Sequence, residues 1–482
     1  MSTAADTLEL TTGPMVHGGH CIARHEGRVV FVRHAVPGET VRVALTESAP
    51  GAKFWRADVV EVLEASDHRR RHPWRAADSL AAYERNLRPV GGAEYGHITE
   101  AHQRRLKAQV FRDTLARIGD ITLADCDLPS IGADGELHVT ALHNPDGGLH
   151  WRTRVSFDVD ETGHLAMKPH RSHDLIGVTR MPLAVEAIDT SGIFSWDFSG
   201  AQRVDVVAPA GEQPLTLVIH AEERQGLGEA GSAALRQQAQ AESTIGSIIL
   251  AHRHTEGVAT SGAGRRRRSQ LRPTRVRYEV LTGERTITEP LPVCVPPPGG
   301  APSLAAVELP PEAFWQIHRA APQTLTEAAQ AMSGLETGAR AVDLYAGAGL
   351  FTAWAAATVG TSGRVLSVEA AEGASAAAER LFTSCETVEV VRSPVEKIAA
   401  DLPEADLIIL DPPRAGAGRG VIEGIDAAAP QQILYISCDP ASFARDAKQL
   451  TALGWRLADI RVFDMYPNTH HMESAAIFTS PR

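Results

Sequence analysis

The chain has 482 residues, 43% of them hydrophobic and 22% charged, which predicts a globular protein of two or three domains. It contains neither the roughly 18-residue apolar stretch of a membrane helix nor an N-terminal secretory signal, so we expect a cytoplasmic protein without membrane association. The net charge of −12 excludes a uniformly basic nucleic-acid-binding surface, although binding depends on local potential.

The first elements in the chain are short strands within residues 8–66. Residues 27–36, 40–48 and 55–66 are rich in β-branched side chains and are separated by turn residues. Several short strands in so short a segment predict a small barrel of the OB type. Residues 100–119 follow with apolar side chains at helical spacing and end at a glycine, which predicts a helix.

Three segments before the C-terminal third are strongly basic. They are HRRRHPWR (68–75), QRRLK (103–107) and GRRRRSQLRPTRVR (264–277). A run of arginines is usually a solvated loop, but three such runs modestly favour a polyanionic partner.

The rest of the chain divides into two patterns. Residues 137–285 contain alternating and continuous apolar runs that predict a mostly β region, and the Pro- and Gly-rich residues 296–300 are predicted to form a linker or turn. After about residue 329, apolar strands alternate with helices, which predicts an α/β domain with a doubly wound parallel sheet. We therefore predict domains at 1–66, 67–328 and 329–482.

Two strand ends in the α/β domain are typical of a nucleotide-like ligand site. The first strand ends near Asp343 and is followed by Gly347-x-Gly349, a turn that lets the backbone approach a ligand. The second ends at Glu369, whose carboxylate can accept hydrogen bonds from ribose hydroxyls. Together they resemble the cofactor site of class I methyltransferases, although a tight turn and surface acids are the alternative.

Two further strand ends carry reactive groups. Asp411-Pro412-Pro413-Arg414 resembles the tetrapeptide of amino-directed methyltransferases, but Arg414 replaces its aromatic residue, which argues against N-methylation. Cys438 lies just beyond another apolar strand, at the same expected crevice edge. Taken alone, Cys438 is equally well explained as a small buried apolar side chain.

The last motif, FDMYPNTHHMESAAIF (463–478), places Glu473 at the start of a strand. A single glutamate there is usually solvated. His470 and His471 are adjacent, so their side chains are expected to diverge, and no third ligand is suitably spaced; we therefore predict no metal site.

The combined motifs resemble, over nearly the whole chain, the bacterial RNA 5-methyluridine methyltransferases that modify 23S rRNA or tRNA. The matching segments are DLYAGAGLF, LDPPRAG, YISCDPASFARD and DMYPNTHHME. Residues 8–66 resemble the TRAM domain of many members. The resemblance implies a class I (Rossmann-like) methyltransferase domain preceded by an OB-type barrel and a mostly β central domain.

The resemblance also implies roles for individual residues. Cys438 matches the family nucleophile and Glu473 the base that removes a proton. The residues that match contacts to S-adenosylmethionine are Gln316, Tyr345, Glu369 and Asp411.

The chain departs from the family at positions that often hold a [4Fe–4S] cluster. Trp74, Ala93 and Met181 replace three of its cysteines, and the five cysteines of the chain form no CxxC pair. We therefore predict no iron–sulfur cluster. Ser393-Pro394 also replaces a Gly-Asp pair that often contacts the adenine.

The expected function is methylation of uracil C5 in RNA, with 23S rRNA favoured because many tRNA enzymes of this type lack a TRAM domain. The alternatives are a tRNA substrate, a non-catalytic RNA-binding assembly factor and, less favoured, an N- or O-methyltransferase. No DNA partner is expected, and the oligomeric state is not predicted.

Overall fold

The structure is a computed structural model that describes residues 7–49, 51–132, 135–144, 146–211, 213–222, 226–254, 275–295 and 304–480. The predicted linker 296–300 and most of the basic segment 264–277 lie outside these ranges. The chain forms two compact units. The first contains Met1–Trp151, Glu289–Leu309 and Ala313–Arg482, and the second contains Arg152–Thr288 and Pro310–Glu312.

The N-terminal strands form a six-stranded sheet in the order β1-β5-β6-β4-β3-β2. The strands are β1 Thr7–Thr11, β2 Met15–Val16, β3 His20–His25, β4 Arg28–Arg33, β5 Thr40–Glu47 and β6 Phe54–Glu64. Alternate valines on β4 and β5 are fully buried, as expected for strands with one face on a core. Backbone hydrogen bonds of Ile22 with Gly13 and Pro14 attach the segment between β1 and β2 to β3. The predicted small N-terminal β domain is confirmed, and its identity as a TRAM domain stays a prediction.

The predicted helix over residues 100–119 is also confirmed. Helix α1 spans Ser79–Tyr83, and α2 spans Glu100–Thr114 and continues into a π-helical turn, Leu115–Gly119. One face of α2 is buried, and that face contains three polar residues, Gln103, Lys107 and Thr114. The segment 103–107 is therefore only partly the basic surface that the sequence indicated.

The second unit contains a mixed seven-stranded sheet in the order β10-β9-β8-β11-β12-β13-β14. Its elements are β8 Arg154–Val159, β9 Leu165–Met167, β10 Ile176–Gly177, α3 Glu186–Asp189, β11 Ala201–Val207, β12 Leu215–Glu222, α4 Gly228–Ala241, β13 Ile245–His254 and β14 Arg275–Thr282. Strands β12 and β13 are parallel, with α4 between them in the chain, and the other pairs are antiparallel. The prediction of a mostly β central region is confirmed.

The C-terminal residues form an eight-stranded sheet in the order β19-β18-β17-β20-β21-β23-β22-β7. The preceding strands β15 Ile287–Val295 and β16 Leu304–Leu309 pair with each other. The strands of the large sheet are β7 Val139–Ala141, β17 Arg340–Leu344, β18 Arg364–Glu369, β19 Val388–Arg392, β20 Leu407–Leu410, β21 Gln432–Ser437, β22 Arg456–Asp464 and β23 Glu473–Thr479. The helices are α5 Ala321–Met332, α6 Leu350–Val359, α7 Glu372–Phe382, α8 Val395–Ile398, α9 Arg419–Ala428 and α10 Pro440–Ala452.

Strands β17 to β21 are parallel, and β23 is inserted antiparallel between β21 and β22. The strand order reverses between β17 and β20, and open α/β sheets bind ligands at such a reversal. Burial of β17, β20 and β21 agrees with their nearly continuous apolar sequences. The predicted doubly wound fold is confirmed.

The predicted central domain, 67–328, coincides with neither compact unit, because residues 67–151 and 313–328 belong to the first unit. The division into three domains stays a prediction. Within the described ranges, every helix is too short or too polar to span a lipid bilayer.

Candidate active site

Four of the predicted site residues lie at one edge of the large sheet. Tyr345, Asp411 and Cys438 directly follow β17, β20 and β21, respectively. Glu369 is the last residue of β18. These strands are parallel, and β18, β17, β20 and β21 are consecutive neighbours. Because the carboxyl ends of parallel neighbours meet at one edge, the four side chains converge on a single crevice.

The antiparallel strand β23 brings a fifth predicted residue to the same edge. Ser437, the last residue of β21, is paired with Ser474 of β23. The next residue of one strand, Cys438, and the preceding residue of the other, Glu473, therefore lie across from each other at the strand ends. Long-range pairing thus joins the two residues for which the resemblance implies catalytic roles.

Gln316 belongs to the same region. A cleft in the first compact unit is lined by Phe314, Trp315, Gln316, Tyr345, Ala346, Gly347, Ala348, Leu350, Phe351 and Asp411. Gln316 is 8% exposed and contributes its side chain to the cleft next to the glycine turn. All four predicted cofactor contacts are therefore in or beside this cleft.

The turn after β17 has the local geometry of a ligand-binding loop. Gly347 has φ +57°, and a Cβ placed there would meet no atom within 4 Å, so the space in front of its backbone is open. The Gly347 N–H donates to Oε2 of Glu369 at 2.8 Å, which joins the two strand ends. Tyr345 adopts φ +62°, a conformation that costs a non-glycine residue energy and that often marks functional sites.

A buried acid behind this turn is incompletely hydrogen-bonded. Asp343 accepts a hydrogen bond from Thr352 at one oxygen, while its Oδ1 has no partner among the described residues. Burial raises the pKa of Asp343 to about 7. An open glycine turn, a carboxylate at the next strand end and an unpaired buried oxygen fit a cofactor with hydroxyl and amino donors.

Asp411 and Glu473 form a pair of interacting carboxyl groups. Burial raises the pKa of Asp411 to about 7 and raises the pKa of Glu473 well above its ordinary value. The nearby Asp411 carboxyl raises the pKa of Glu473 further, because two neighbouring negative charges repel each other. The Tyr466 hydroxyl and Arg414 act in the opposite direction.

Cys438 is partly exposed at the crevice. Burial raises the pKa of its thiol to about 12, Glu473 adds to this effect, and Arg414 opposes it. A thiol with so high a pKa is neutral at neutral pH. Formation of the reactive thiolate requires a change in the charges around it.

The residue after Cys438 fixes the start of α10. The Asp439 carboxylate accepts hydrogen bonds from the backbone N–H groups of Ala441 and Ser442 and lies 3.4 Å from Nε2 of His17. Burial alone would raise the pKa of Asp439, but His17 and the helix N–H groups outweigh it and lower the pKa. The segment between β2 and β3 thus contacts the catalytic strand end.

Helix α2 supports the segment that precedes Glu473, a role that the sequence did not reveal. The Lys107 ammonium is fully buried, 2.6 Å from Oδ1 of Asp464 and 3.0 Å from the carbonyl oxygen of Tyr466. Gln103 exchanges two hydrogen bonds with Asn468. A lysine and a glutamine four residues apart on a buried helix face are the sequence signal that identifies these contacts in retrospect.

The sequence argument about His470 and His471 is corrected. Their rings are 4.0 Å apart rather than divergent, and Glu94 supplies a third group, with the three potential ligand atoms within 4.8 Å of one another. In this structure Oε1 of Glu94 is hydrogen-bonded to Nδ1 of His470, so these groups satisfy each other. We assign no metal here, and the absence of a metal site stays a prediction.

Sequence comparisons identify relatives of the chain. Residues 375–480 match the family model described as tRNA (Uracil-5-)-methyltransferase, and residues 310–393 match the model of protein-L-isoaspartate(D-aspartate) O-methyltransferase. An RNA methyltransferase of Streptomyces avermitilis is 33% identical over 98% of this chain and 98% of its own. An RNA methyltransferase of Streptomyces coelicolor is 32% identical over 99% of this chain and 93% of its own.

A solved structure has the same fold. The Pyrococcus abyssi tRNA (uracil-54, C5)-methyltransferase, in complex with S-adenosyl-L-homocysteine, matches with a TM-score of 0.65 and 16% identity, over 98% of this chain and 99% of that chain. The full-length relatives, together with this shared fold, show that the chain is an S-adenosylmethionine-dependent RNA methyltransferase. The chain belongs to the tRNA (uracil-5-)-methyltransferase family.

Proposed function

We propose that this protein methylates C5 of a uracil in RNA through a covalent adduct between Cys438 and C6 of the base. The observation that carries the proposal is the pairing of Ser437 with Ser474, which sets Cys438 and Glu473 opposite each other. Asp411, which also lines the cofactor cleft, is close enough to affect both groups. A nucleophile, a base and a methyl-donor site therefore share one crevice.

The chemistry explains why a cysteine is needed. C5 of uracil is a weak nucleophile, so its electron density must be increased before it can accept an electrophilic carbon. When the Cys438 thiolate bonds to C6, the electron pair of the C5–C6 double bond moves onto C5 and the adjacent carbonyl. When bound, S-adenosylmethionine supplies an electrophilic methyl group, and Gln316, Tyr345, Glu369 and Asp411 are the residues proposed to hold it.

Glu473 is proposed to complete the reaction. Once C5 carries a methyl group it still carries its hydrogen, and a carboxylate can remove that proton as a general base. The C–H electron pair then forms the C5–C6 double bond again, and the electrons of the C6–S bond return to Cys438. The target base must leave its stack to enter the crevice, which costs a few kcal/mol in a paired region.

Among RNA substrates we favour 23S rRNA, and we propose that the enzyme acts in the cytoplasm. The small N-terminal sheet, whose sequence resembles a TRAM domain, supports the rRNA proposal. A tRNA substrate is the alternative, because the Pyrococcus abyssi protein of the same fold is described as a tRNA methyltransferase. The exposed arginines Arg71, Arg75 and Arg105 are candidates for contacts to RNA phosphates.

RNA that contains 5-fluorouracil tests the covalent mechanism. Transcripts of 23S rRNA and of tRNA made with 5-fluorouridine are incubated with the enzyme and S-adenosylmethionine, then separated on a denaturing gel. We expect a stable protein–RNA band with one transcript, because fluorine cannot leave C5 as a proton does. Methylation of the ordinary transcripts without any trapped band on the fluorinated ones would refute the adduct. If the enzyme methylates neither these transcripts nor RNA extracted from a gene-deletion strain, the result favours the non-catalytic alternative.

Glu369→Ala is expected to weaken binding of S-adenosylmethionine about tenfold to a hundredfold, the usual cost of losing hydrogen bonds to a charged group. Calorimetric titration of the free enzyme with S-adenosylmethionine measures this change. Glu372→Ala is the matched control, because Glu372 is an exposed acid three residues later whose side chain pairs with Arg392 at the surface. Equal affinities of the two variants would remove Glu369 from the cofactor site.

A further inference from the structure

We infer that Tyr466 is a positioning residue for Glu473: its hydroxyl donates a hydrogen bond that orients the carboxyl group for proton removal and favours its ionised form. This inference rests on the proposed function and adds a residue to it. The hydroxyl lies 3.0 Å from Oε2 of Glu473. Within the described ranges it makes the only side-chain hydrogen bond that reaches this carboxyl group.

The ring of Tyr466 is held on both sides. It packs edge-on against Trp151, with ring centroids 5.9 Å apart, and edge-on against His471, with centroids 6.0 Å apart. These contacts restrict rotation of the ring, so its hydroxyl keeps one direction. That direction is toward Glu473.

The backbone of Tyr466 is held as well. Its carbonyl oxygen accepts hydrogen bonds from the buried Lys107 ammonium at 3.0 Å and from the Thr469 hydroxyl at 2.8 Å. Lys107 also pairs with Asp464, the last residue of β22. The residue is therefore fixed at both backbone and ring, as expected for one that orients another group.

The charges around Glu473 show why such a donor is needed. Asp411 faces Glu473 from the end of β20 and opposes its ionisation, while Arg414 favours ionisation from farther along the same loop. The Cys438 thiol lies across from it at the end of β21 and would oppose ionisation once it becomes a thiolate. Burial has the largest effect and also favours the protonated carboxyl. Tyr466 donates a direct hydrogen bond that favours the ionised form of Glu473.

The ionisation of Glu473 matters for the last step, the removal of the proton from C5. Glu473 must be a carboxylate to take the proton from C5; the C–H pair then forms the C5–C6 double bond, and the C6–S pair leaves as the Cys438 thiolate. A protonated Glu473 cannot accept this proton. Loss of the Tyr466 hydroxyl should therefore leave adduct formation intact and slow its breakdown.

Tyr466→Phe removes one oxygen and keeps the packed ring. The probe is the uridine transcript, of 23S rRNA or tRNA, that the wild-type enzyme methylates, and adduct breakdown is followed in single turnovers between pH 6 and pH 9. The hydrogen bond lowers the pKa of Glu473, so its loss raises that pKa. We expect the acid limb of the breakdown rate to move up by about one to two pH units. Adduct should accumulate at low pH and disappear at high pH.

Two further variants make the result specific. Tyr435→Phe is the matched control, because its buried hydroxyl also donates to a carboxylate, but to Asp446 rather than to Glu473. We expect its acid limb to match that of the wild type. Replacing Tyr466 with 3-fluorotyrosine gives a stronger hydrogen-bond donor, so its limb should move to lower pH.

If Tyr466→Phe leaves the acid limb of the breakdown rate unshifted, the inference is overturned. This holds even if the rate falls equally at every pH, because such a loss reports only altered packing. Trapping on the 5-fluorouracil transcript separates this failure from a failure of the proposed function. Tyr466→Phe should trap that transcript at the wild-type rate. If the wild-type enzyme itself does not trap it, the adduct mechanism is wrong whatever Tyr466 does.

Discussion

Cys438→Ala protein is expected to bind S-adenosylmethionine normally, to form no covalent RNA adduct and to lose methylation by a factor on the order of 10⁴ or more. The loss is this large because, among the described residues, no other cysteine lies at these strand ends. The side chain is small and partly exposed, so its removal should change stability little. Transfer of labelled methyl groups to RNA measures the effect.

Cys385→Ala is the matched control for this variant. Cys385 is a buried cysteine of the same domain that follows α7 and is not among the residues at the crevice edge. We expect it to retain methylation and adduct formation. Wild-type methylation by the Cys438→Ala protein would eliminate the proposed mechanism.

Lys107→Met is expected to lower the free energy of unfolding by about 3–5 kcal/mol, because it leaves the Asp464 carboxylate buried without its partner. Both side chains are almost completely inaccessible, 0% exposed for Lys107 and 2% for Asp464. Urea unfolding followed by circular dichroism measures the change.

Lys448→Met is the control for the buried pair. Its partner is Asp120, and the two side chains are 54% and 66% exposed, so we expect a loss of about 0–1 kcal/mol. The double variant Lys107→Met/Asp464→Leu should recover much of the stability, because it removes both buried charges. Equal losses in Lys107→Met and Lys448→Met would show that the buried pair contributes no more than a surface pair.

The strand ends of the active site could be predicted from sequence because each is a local pattern. An apolar run followed by Gly347, Asp411 or Cys438 indicates a strand and its terminal group without any long-range contact. The position of Glu473 depends on the antiparallel insertion of β23, which no sequence pattern predicted; the family resemblance implied only a role for Glu473. Local motifs thus predict the residues at the parallel strand ends, whereas strand pairing determines the position of Glu473.

The supporting contacts could not be predicted in this way. Lys107 lies in a basic segment, which predicts a solvent-exposed side chain. It is instead buried, and its partner lies 357 residues later in the chain. Strand β7 has only three residues, too few to give a recognisable period, and its pairing with β22 is what identifies it. Helical spacing shows which face is buried, but it does not show which distant carboxylate neutralises a buried ammonium.

The ion pair between α2 and the end of β22 has a consequence for how the protein is made. During synthesis Lys107 leaves the ribosome hundreds of residues before Asp464 and Tyr466, and it stays hydrated until they arrive. The segment that carries Glu473 can therefore pack on α2 only after these residues have been synthesised. A growing chain therefore cannot position the proposed proton acceptor, Glu473, through these contacts before its last residues are made.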